Sequence, residues 1–179
     1  MDWFRKYRLG VKLRMYSGWL LFFFAGTHLL NHSMGIFGLN TLENARDIFI
    51  GFWRLPGLTW VVVAGVVVHF TVVMYKLFTR KTYKGLSGEE WVQIVLGLLS
   101  IDLIIHHVLE TKIASLAFGI VDSYTFYVYW MPTYYIILMP LMMIIMWTHG
   151  CIGIHYYIQQ KQWFPRWGAW LGNHCFCWI

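Results

Sequence analysis

The sequence predicts an all-α fold, a polytopic transmembrane helical bundle. Four stretches approach the roughly 20 residues that an α-helix needs to cross a bilayer. Of the 179 residues, 59% are hydrophobic and only 12% are charged, whereas soluble domains carry about 25% charged residues. A soluble domain of this length could not bury so much apolar surface, but a membrane bundle exposes it to lipid.

Four membrane spans are predicted in order along the chain. They cover residues 15–37, 58–78, 91–111 and 133–158. Pro56 and Gly57 mark the start of the second span, and Gly88 belongs to a break before the third. Pro140 lies within the fourth span, where a proline can kink a helix.

Two connecting segments are predicted as short helices at the membrane interface. Residues 41–53 mix charges with large apolar side chains, and residues 114–130 are rich in Tyr, Phe and Trp. Such compositions are typical of the headgroup level of a bilayer. The alternative for both segments is an irregular aromatic loop. No internal repeat is evident.

The basic residues predict the orientation of the bundle. One side is bordered by Arg5, Lys6, Arg8, Lys12, Arg14, Lys76, Arg80, Lys81, Lys84, Lys161 and Arg166, the other only by Arg46, Arg54 and Lys112. The positive-inside rule therefore places both termini in the cytoplasm. We expect a basic N-terminus at 1–14, a membrane domain at 15–158 and a cytoplasmic or interfacial tail at 159–179. The net charge of +6 reflects topology, so nucleic acid is not an expected partner.

Histidines are the most informative residues of the spans. An imidazole in hydrocarbon is costly and usually functional. One buried histidine is more often a packed, hydrogen-bonded residue, but a set spread over four spans predicts metal ligands. Opposed histidines among glycines and aromatic residues favour a flat haem over copper or zinc. Seven of the eight histidines belong to this set, namely His28, His32, His69, His106, His107, His149 and His155.

Depth in the membrane predicts how the histidines pair. A helix rises about 1.5 Å per residue, which places His69 and His149 roughly 15 Å from the cytoplasmic end of their spans. By the same estimate His32 and His107 lie roughly 23 Å deep. Two matched pairs on four helices predict two haems, each held through both axial positions of its iron.

The remaining histidines leave alternatives open. His28 shares a helix face with His32, and either is a candidate ligand. His106 points about 100° away from its neighbour and is spaced to pair with Asp102. His155, near the cytoplasmic end, is a candidate contact for a haem propionate.

Several motifs carry a resemblance to known families. Arg14-Met-Tyr-Ser-Gly18 resembles the R-x-x-S-G start of cytochrome b subunits of succinate dehydrogenase and fumarate reductase. More specifically, residues 27–35 (THLLNHSMG), 107–112 (HVLETK) and 149–155 (HGCIGIH) are similar to the membrane anchor of certain bacterial class III adenylate cyclases. The resemblance covers about residues 9–167.

The resemblance implies a haem-b-binding bundle in the bacterial inner membrane that contacts quinone and precedes a cytoplasmic cyclase. It favours His107 over His106, and it places quinone near Arg14 and Ser17, whose alternative roles are an interfacial anchor and a helix-start hydroxyl. By position, the motif histidines are His28, His32, His107, His149 and His155, with His69 equivalent on the second span. The sequence stops at 163–179, where a fifth span would start, so we expect a truncated chain without the catalytic domain.

Three functions remain as alternatives. The first is a redox- or quinone-responsive anchor of a cytoplasmic cyclase domain. The second is an electron-transfer subunit that works with flavoprotein and iron–sulfur subunits. The third is a structural anchor without a cofactor. The lipid bilayer is an expected partner in all three, and a homodimer is a further alternative.

Overall fold

The computed structural model describes residues 2–130, 132–159 and 161, and these residues contain helices but no β-strand. The α-helices are α1 (Asp2–Ser33), α2 (Leu39–Trp53), α3 (Leu58–Thr79), α4 (Gly88–Val108), α5 (Ala114–Phe118), α6 (Tyr124–Trp130) and α7 (Tyr135–Gln159). A 3₁₀ turn, Met34–Phe37, follows α1, and a π-helical turn, Leu109–Ile113, joins α4 to α5. The predicted all-α class is confirmed. The predicted start of a fifth span at 163–179 lies outside the described residues.

Four helical stretches are long and apolar enough to cross a membrane. Their most apolar windows have mean hydropathies of 1.2 to 2.1. They correspond to the four predicted spans, and the chain therefore has the character of a multi-pass membrane protein. The stretches are Leu9–Phe37, Leu58–Thr79, Gly88–Phe118 and Tyr135–Gln159.

The first helix begins earlier than the predicted span. α1 starts at Asp2, so the basic residues before the span continue the same helix. Lysine, arginine and leucine are good helix formers, and this segment contains no proline. The N-terminal segment at 1–14 is thus an extension of the first helix from Asp2 onward.

A capping box explains why α4 begins before the predicted third span. The Ser87 hydroxyl accepts a hydrogen bond from the Glu90 backbone N–H (3.2 Å), and the Glu90 carboxylate accepts one from the Ser87 N–H (3.0 Å). These two bonds satisfy backbone donors that a helix start leaves free. The break in the chain is therefore also the N-cap of α4.

The predicted interfacial segments are helical. Residues 41–53 lie within α2, whereas 114–130 divides into α5 and α6. Gly119 ends α5 with a left-handed φ of 65°, a conformation that glycine adopts without strain. α7 remains helical through Pro140.

The four long helices form two antiparallel pairs. α1 packs on α3, α4 packs on α7, and α1 also packs on α7. Glycines let the helices approach, because a Cβ at Gly65 would lie 2.8 Å from Leu20, and one at Gly150 would lie 2.6 Å from Phe22.

We use the name basic end for the end of the bundle at which both α1 and α4 begin. The opposite end is the cap end. At the cap end α2 packs on α1, where the Trp53 indole, 5% exposed, donates a hydrogen bond to the Thr27 hydroxyl (2.9 Å). α6 packs on α2, and the Glu43 carboxylate accepts a hydrogen bond from the Thr125 N–H (2.8 Å). α2 and α6 therefore cover the side of the bundle that holds His28 and His32.

Candidate functional site

The His69 ring is held by two groups of α1. Its Nδ1 lies 3.2 Å from the Arg14 carbonyl oxygen and 3.1 Å from the Ser17 hydroxyl oxygen. A carbonyl only accepts, so Nδ1 carries the proton. The Ser17 hydroxyl donates to the Leu13 carbonyl (2.6 Å) and is free to accept from the same Nδ1–H. The Nε2 atom of His69 therefore keeps its lone pair, which is the form that binds a metal.

The His149 ring is held in the same way by α4. Its Nδ1 lies 3.1 Å from the Gln93 carbonyl oxygen, which again fixes the proton on Nδ1. Ligand histidines of metal sites usually donate their other N–H to a carbonyl or carboxylate, which fixes both tautomer and ring orientation. His69 and His149 both donate such a hydrogen bond.

Each of these rings also lies against a glycine of the neighbouring helix. A Cβ at Gly18 would lie 3.3 Å from Cε1 of His69, and a Cβ at Gly97 would lie 2.9 Å from Cε1 of His149. In both cases the glycine follows the accepting carbonyl by one helical turn. A side chain at Gly97 would displace the ring that this carbonyl orients.

The α1–α3 and α4–α7 pairs place matching residues around His69 and His149. We call this match the half-site correspondence. The α4 residues follow their α1 counterparts by 79 positions (93 minus 14, 97 minus 18, 107 minus 28), and His149 follows His69 by 80 (149 minus 69). Comparison of side chains does not show this correspondence, because Gln93 contributes only its backbone carbonyl and its side chain does not resemble that of Arg14. The matched residues are Arg14 with Gln93, Gly18 with Gly97, and His28 with His107.

A second histidine cluster lies toward the cap end. The His28 and His107 ring centroids are 6.0 Å apart, and Nε2 of His28 lies 3.2 Å from Nε2 of His32. His28 and His107 are half-buried, and the Nδ1 atom of each is buried without a hydrogen-bond partner among the described residues. These orphaned nitrogens belong to the two histidines that the half-site correspondence matches.

His32 lies at the edge of this cluster. Its side chain is partly exposed and its ring contacts Tyr124, with centroids 5.2 Å apart. The Tyr124 hydroxyl accepts a hydrogen bond from Asn31, whose side chain is fully buried. Burial raises the pKa of Tyr124 to about 12, so its hydroxyl stays protonated at neutral pH. α6 thus closes the cap end of the histidine cluster with a neutral phenol.

His106 faces away from this cluster, as predicted. Its Nδ1 lies 3.9 Å from the Asp102 carboxylate and 3.3 Å from the Asp102 carbonyl oxygen. Both side chains are exposed. The predicted pairing of His106 with Asp102 is confirmed, and His107 is the histidine of this dipeptide that joins the cluster.

The two predicted quinone contacts lie beside His69. Ser17 is 6% exposed and its hydroxyl is occupied by Leu13 and His69. Arg14 contributes its carbonyl oxygen to the same ring. The structure therefore places both residues in the immediate surroundings of a predicted haem ligand.

His155 lies near the basic end of α7, one helical turn before Gln159. Its Nε2 is 2.5 Å from the Gln159 side-chain nitrogen. It lines an apolar groove of about 440 Å³ between α1 and α7, together with Trp19, Phe22 and Cys151. The predicted contact of His155 with a propionate stays a prediction.

The described residues contain no group of three His, Cys, Asp or Glu side chains that is arranged to hold a metal ion. A haem iron takes two axial protein ligands, so it does not require such a group.

Comparisons with protein-family models, with curated proteins and with solved structures each found no match for this chain.

Proposed function

We propose that this chain is a membrane-integral b-type cytochrome domain that binds two haems through pairs of histidines. The main support for this proposal is the matched orientation of His69 and His149. Each ring has its Nδ1 bonded to a backbone carbonyl, which leaves Nε2 with a lone pair. A packed histidine needs no such equivalence. Two helices that each present a histidine with a free Nε2, at matched positions, support one pair of haem ligands.

The second axial pair is assigned to His107 and His28. These two are matched by the half-site correspondence and have neighbouring rings. His32 remains the alternative partner that the depth estimate favours. Its more exposed position and its contact with Nε2 of His28 support a role as a neighbour of the ligand.

The haem, when bound, supplies one-electron redox chemistry, and the protein residues tune it. The carbonyls of Arg14 and Gln93 orient the imidazoles and make Nε2 more basic. Two imidazole ligands per haem would leave its iron without an open coordination position, so the site would suit electron transfer rather than oxygen activation. The Ser17 hydroxyl is assigned to the positioning of His69, and a quinone contact at Arg14 stays a proposal.

The output of the domain is proposed to be a cytoplasmic adenylate cyclase that responds to quinone or haem redox state. This step is supported by the resemblance of the histidine motifs to cyclase anchors, and by basic residues that favour both termini on the cytoplasmic side of a bacterial inner membrane. The gene's downstream reading frame tests it. A cyclase in frame supports sensing, whereas adjacent flavoprotein and iron–sulfur genes favour an electron-transfer subunit.

A potentiometric titration of the purified chain tests the haem assignment. We expect reduced-minus-oxidised spectra with the narrow visible bands of low-spin haem b, and a titration that resolves two one-electron components. A preparation supplied with haem that shows no such bands would leave the structural-anchor alternative in place.

Gly97→Ala is expected to weaken haem retention at the His69–His149 site by about tenfold or more, because the new Cβ would lie 2.9 Å from the ring that Gln93 orients. Haem content and the His69–His149 component of the titration measure it. Gly51→Ala is the matched control, since a Cβ there would meet nothing within 4 Å. Equal haem retention in the two variants would contradict the assigned position of His149.

Ser17→Ala is expected to loosen haem at the same site by about tenfold, the lower end of the range for such hydrogen-bond partners, because the Arg14 carbonyl still holds the ring. The midpoint potential of the same component should shift as well. Ser33→Ala is the control, because the Ser33 hydroxyl donates only to its own helix, at the Leu30 carbonyl. A shift in both variants, or in neither, would argue against the positioning role of Ser17.

A further inference from the structure

Asp102 is placed where a charged residue is costly. It lies near the middle of the Gly88–Phe118 span, whereas every other Asp, Glu, Lys and Arg of the four described spans lies within about two turns of a span end. Its side chain is 79% exposed, and that of His106 is 56% exposed. Ionisable residues inside a membrane pair with one another or with backbone groups and almost always face a protein interior or a water-filled cavity. The Asp102–His106 pair instead faces outward as a unit. This side of α4 therefore requires a partner that residues 2–130, 132–159 and 161 do not supply.

The exposed pair lies on the side of α4 opposite α7. Gln93 and Gly97 contact His149 of α7, and nine residues from Gln93 to Asp102 amount to about half a turn beyond two full turns. His107 is about 140° around the helix from Asp102. The histidine cluster and the exposed pair thus occupy different faces, and the exposed pair is separate from the proposed haem sites.

Asp102 belongs to a heptad seam. Six exposed residues alternate at spacings of four and three, the pattern with which two helices pack along one stripe. Each is at least 43% exposed, and five of the six are apolar. We call this stripe the α4 seam, and it consists of Trp91, Val95, Leu98, Asp102, Ile105 and Leu109.

We propose that the α4 seam is the contact between two copies of this chain, packed in parallel about a two-fold axis along the membrane normal. In such a dimer each seam residue meets its own counterpart, so Asp102 lies beside Asp102 of the other copy and one turn below that copy's His106. Carboxyl groups and imidazoles can then exchange hydrogen bonds across the axis. The contact is self-complementary, because Asp102 of the seam supplies an acceptor and His106 beside the seam supplies a donor.

A single polar residue in an apolar seam sets register and oligomeric state. In lipid it also supplies attraction, because apolar side chains gain little from leaving a hydrocarbon solvent. The dimer proposal stands apart from the haem proposal. It predicts which residues touch between copies whether or not a haem is bound.

Disulfide crosslinking of the full chain in lipid vesicles tests the dimer. Cys151, Cys175 and Cys177 are replaced by alanine, and one cysteine is introduced at a time. Leu98→Cys and Ile105→Cys are expected to form disulfide-linked dimers on oxidation. Val67→Cys on α3 is the control, since Val67 is more exposed (57%) than Leu98 (43%) and Ile105 (52%) but lies outside the seam. Crosslinking at Leu98 and Ile105 no greater than at Val67 would overturn the proposal.

Two further variants examine the role of Asp102. Asp102→Leu is expected to weaken dimerisation in vesicles by about fivefold to thirtyfold, the loss of one to two interhelical hydrogen bonds, while Asp102→Asn keeps most of it. Subunit exchange followed by fluorescence transfer measures both. A dimer of unchanged affinity in Asp102→Leu would overturn the assignment of Asp102. If that variant does not fold, crosslinking of the Leu98→Cys and Ile105→Cys variants, which keep Asp102, still decides whether the seam is the interface.

Discussion

Replacing His69 and His149 together by alanine is expected to remove one of two haems from the purified chain. Each imidazole is oriented by a backbone carbonyl of the adjacent helix, so the pair presents two Nε2 lone pairs at fixed positions. Without either ring the iron has no axial ligand from this site. Haem content per chain, measured after extraction, should fall to about half that of the unmodified chain.

The remaining haem gives this experiment its control. The low-spin spectrum of the second haem should persist, because His28 and His107 belong to a separate cluster. A double variant that kept its full haem content and unaltered bands would show that His69 and His149 are packing residues. A variant that lost both haems is to be compared by circular dichroism with the unmodified chain, since unfolding would remove helix signal as well.

His107→Ala is expected to remove the other haem, whereas His106→Ala leaves the haem content unchanged. These adjacent residues form a matched pair, because His107 belongs to the cluster with His28 while His106 is exposed beside Asp102. The same loss in both variants would indicate general destabilisation of α4. An effect of His106→Ala alone would contradict the assignment of His28 and His107 as one haem site.

The choice between His28 and His32 is tested on the same site. We expect His28→Ala to remove the haem assigned to His28 and His107. His32→Ala should retain that haem with a shifted midpoint potential, since His32 contacts Nε2 of His28. The reverse result would return the ligand role to His32, as the depth estimate favours.

Much of the fold is readable from the sequence because hydrocarbon imposes a strong length and composition rule on each span. The four apolar stretches, the short connecting helices and the break before α4 all follow from local chemistry. The helix ends follow less directly from hydropathy. Ser87 and Glu90 form a capping box that extends α4, and Gly119 divides one predicted segment into two helices. Those features depend on single hydrogen bonds and backbone angles that hydropathy does not report.

The candidate site was only partly readable. Histidine content and depth indicated a cofactor and grouped the residues, but helix rise alone cannot tell His28 from His32, which differ by one turn. The partners of His69 and His149 were hidden because they are backbone carbonyls of Arg14 and Gln93, and a backbone group leaves no side-chain signature. For Ser17 the motif implies a quinone contact, with a helix-start hydroxyl as the alternative, and neither indicates its contact with His69.

Low-temperature electron paramagnetic resonance of the oxidised, haem-supplied full chain, combined with haem-to-protein stoichiometry, tests the central claim most directly. If histidines from different membrane helices hold the iron, the spectrum should show low-spin ferric haem with two imidazole ligands, at two haems per chain. High-spin signals, or protein free of stoichiometric haem, would contradict that account.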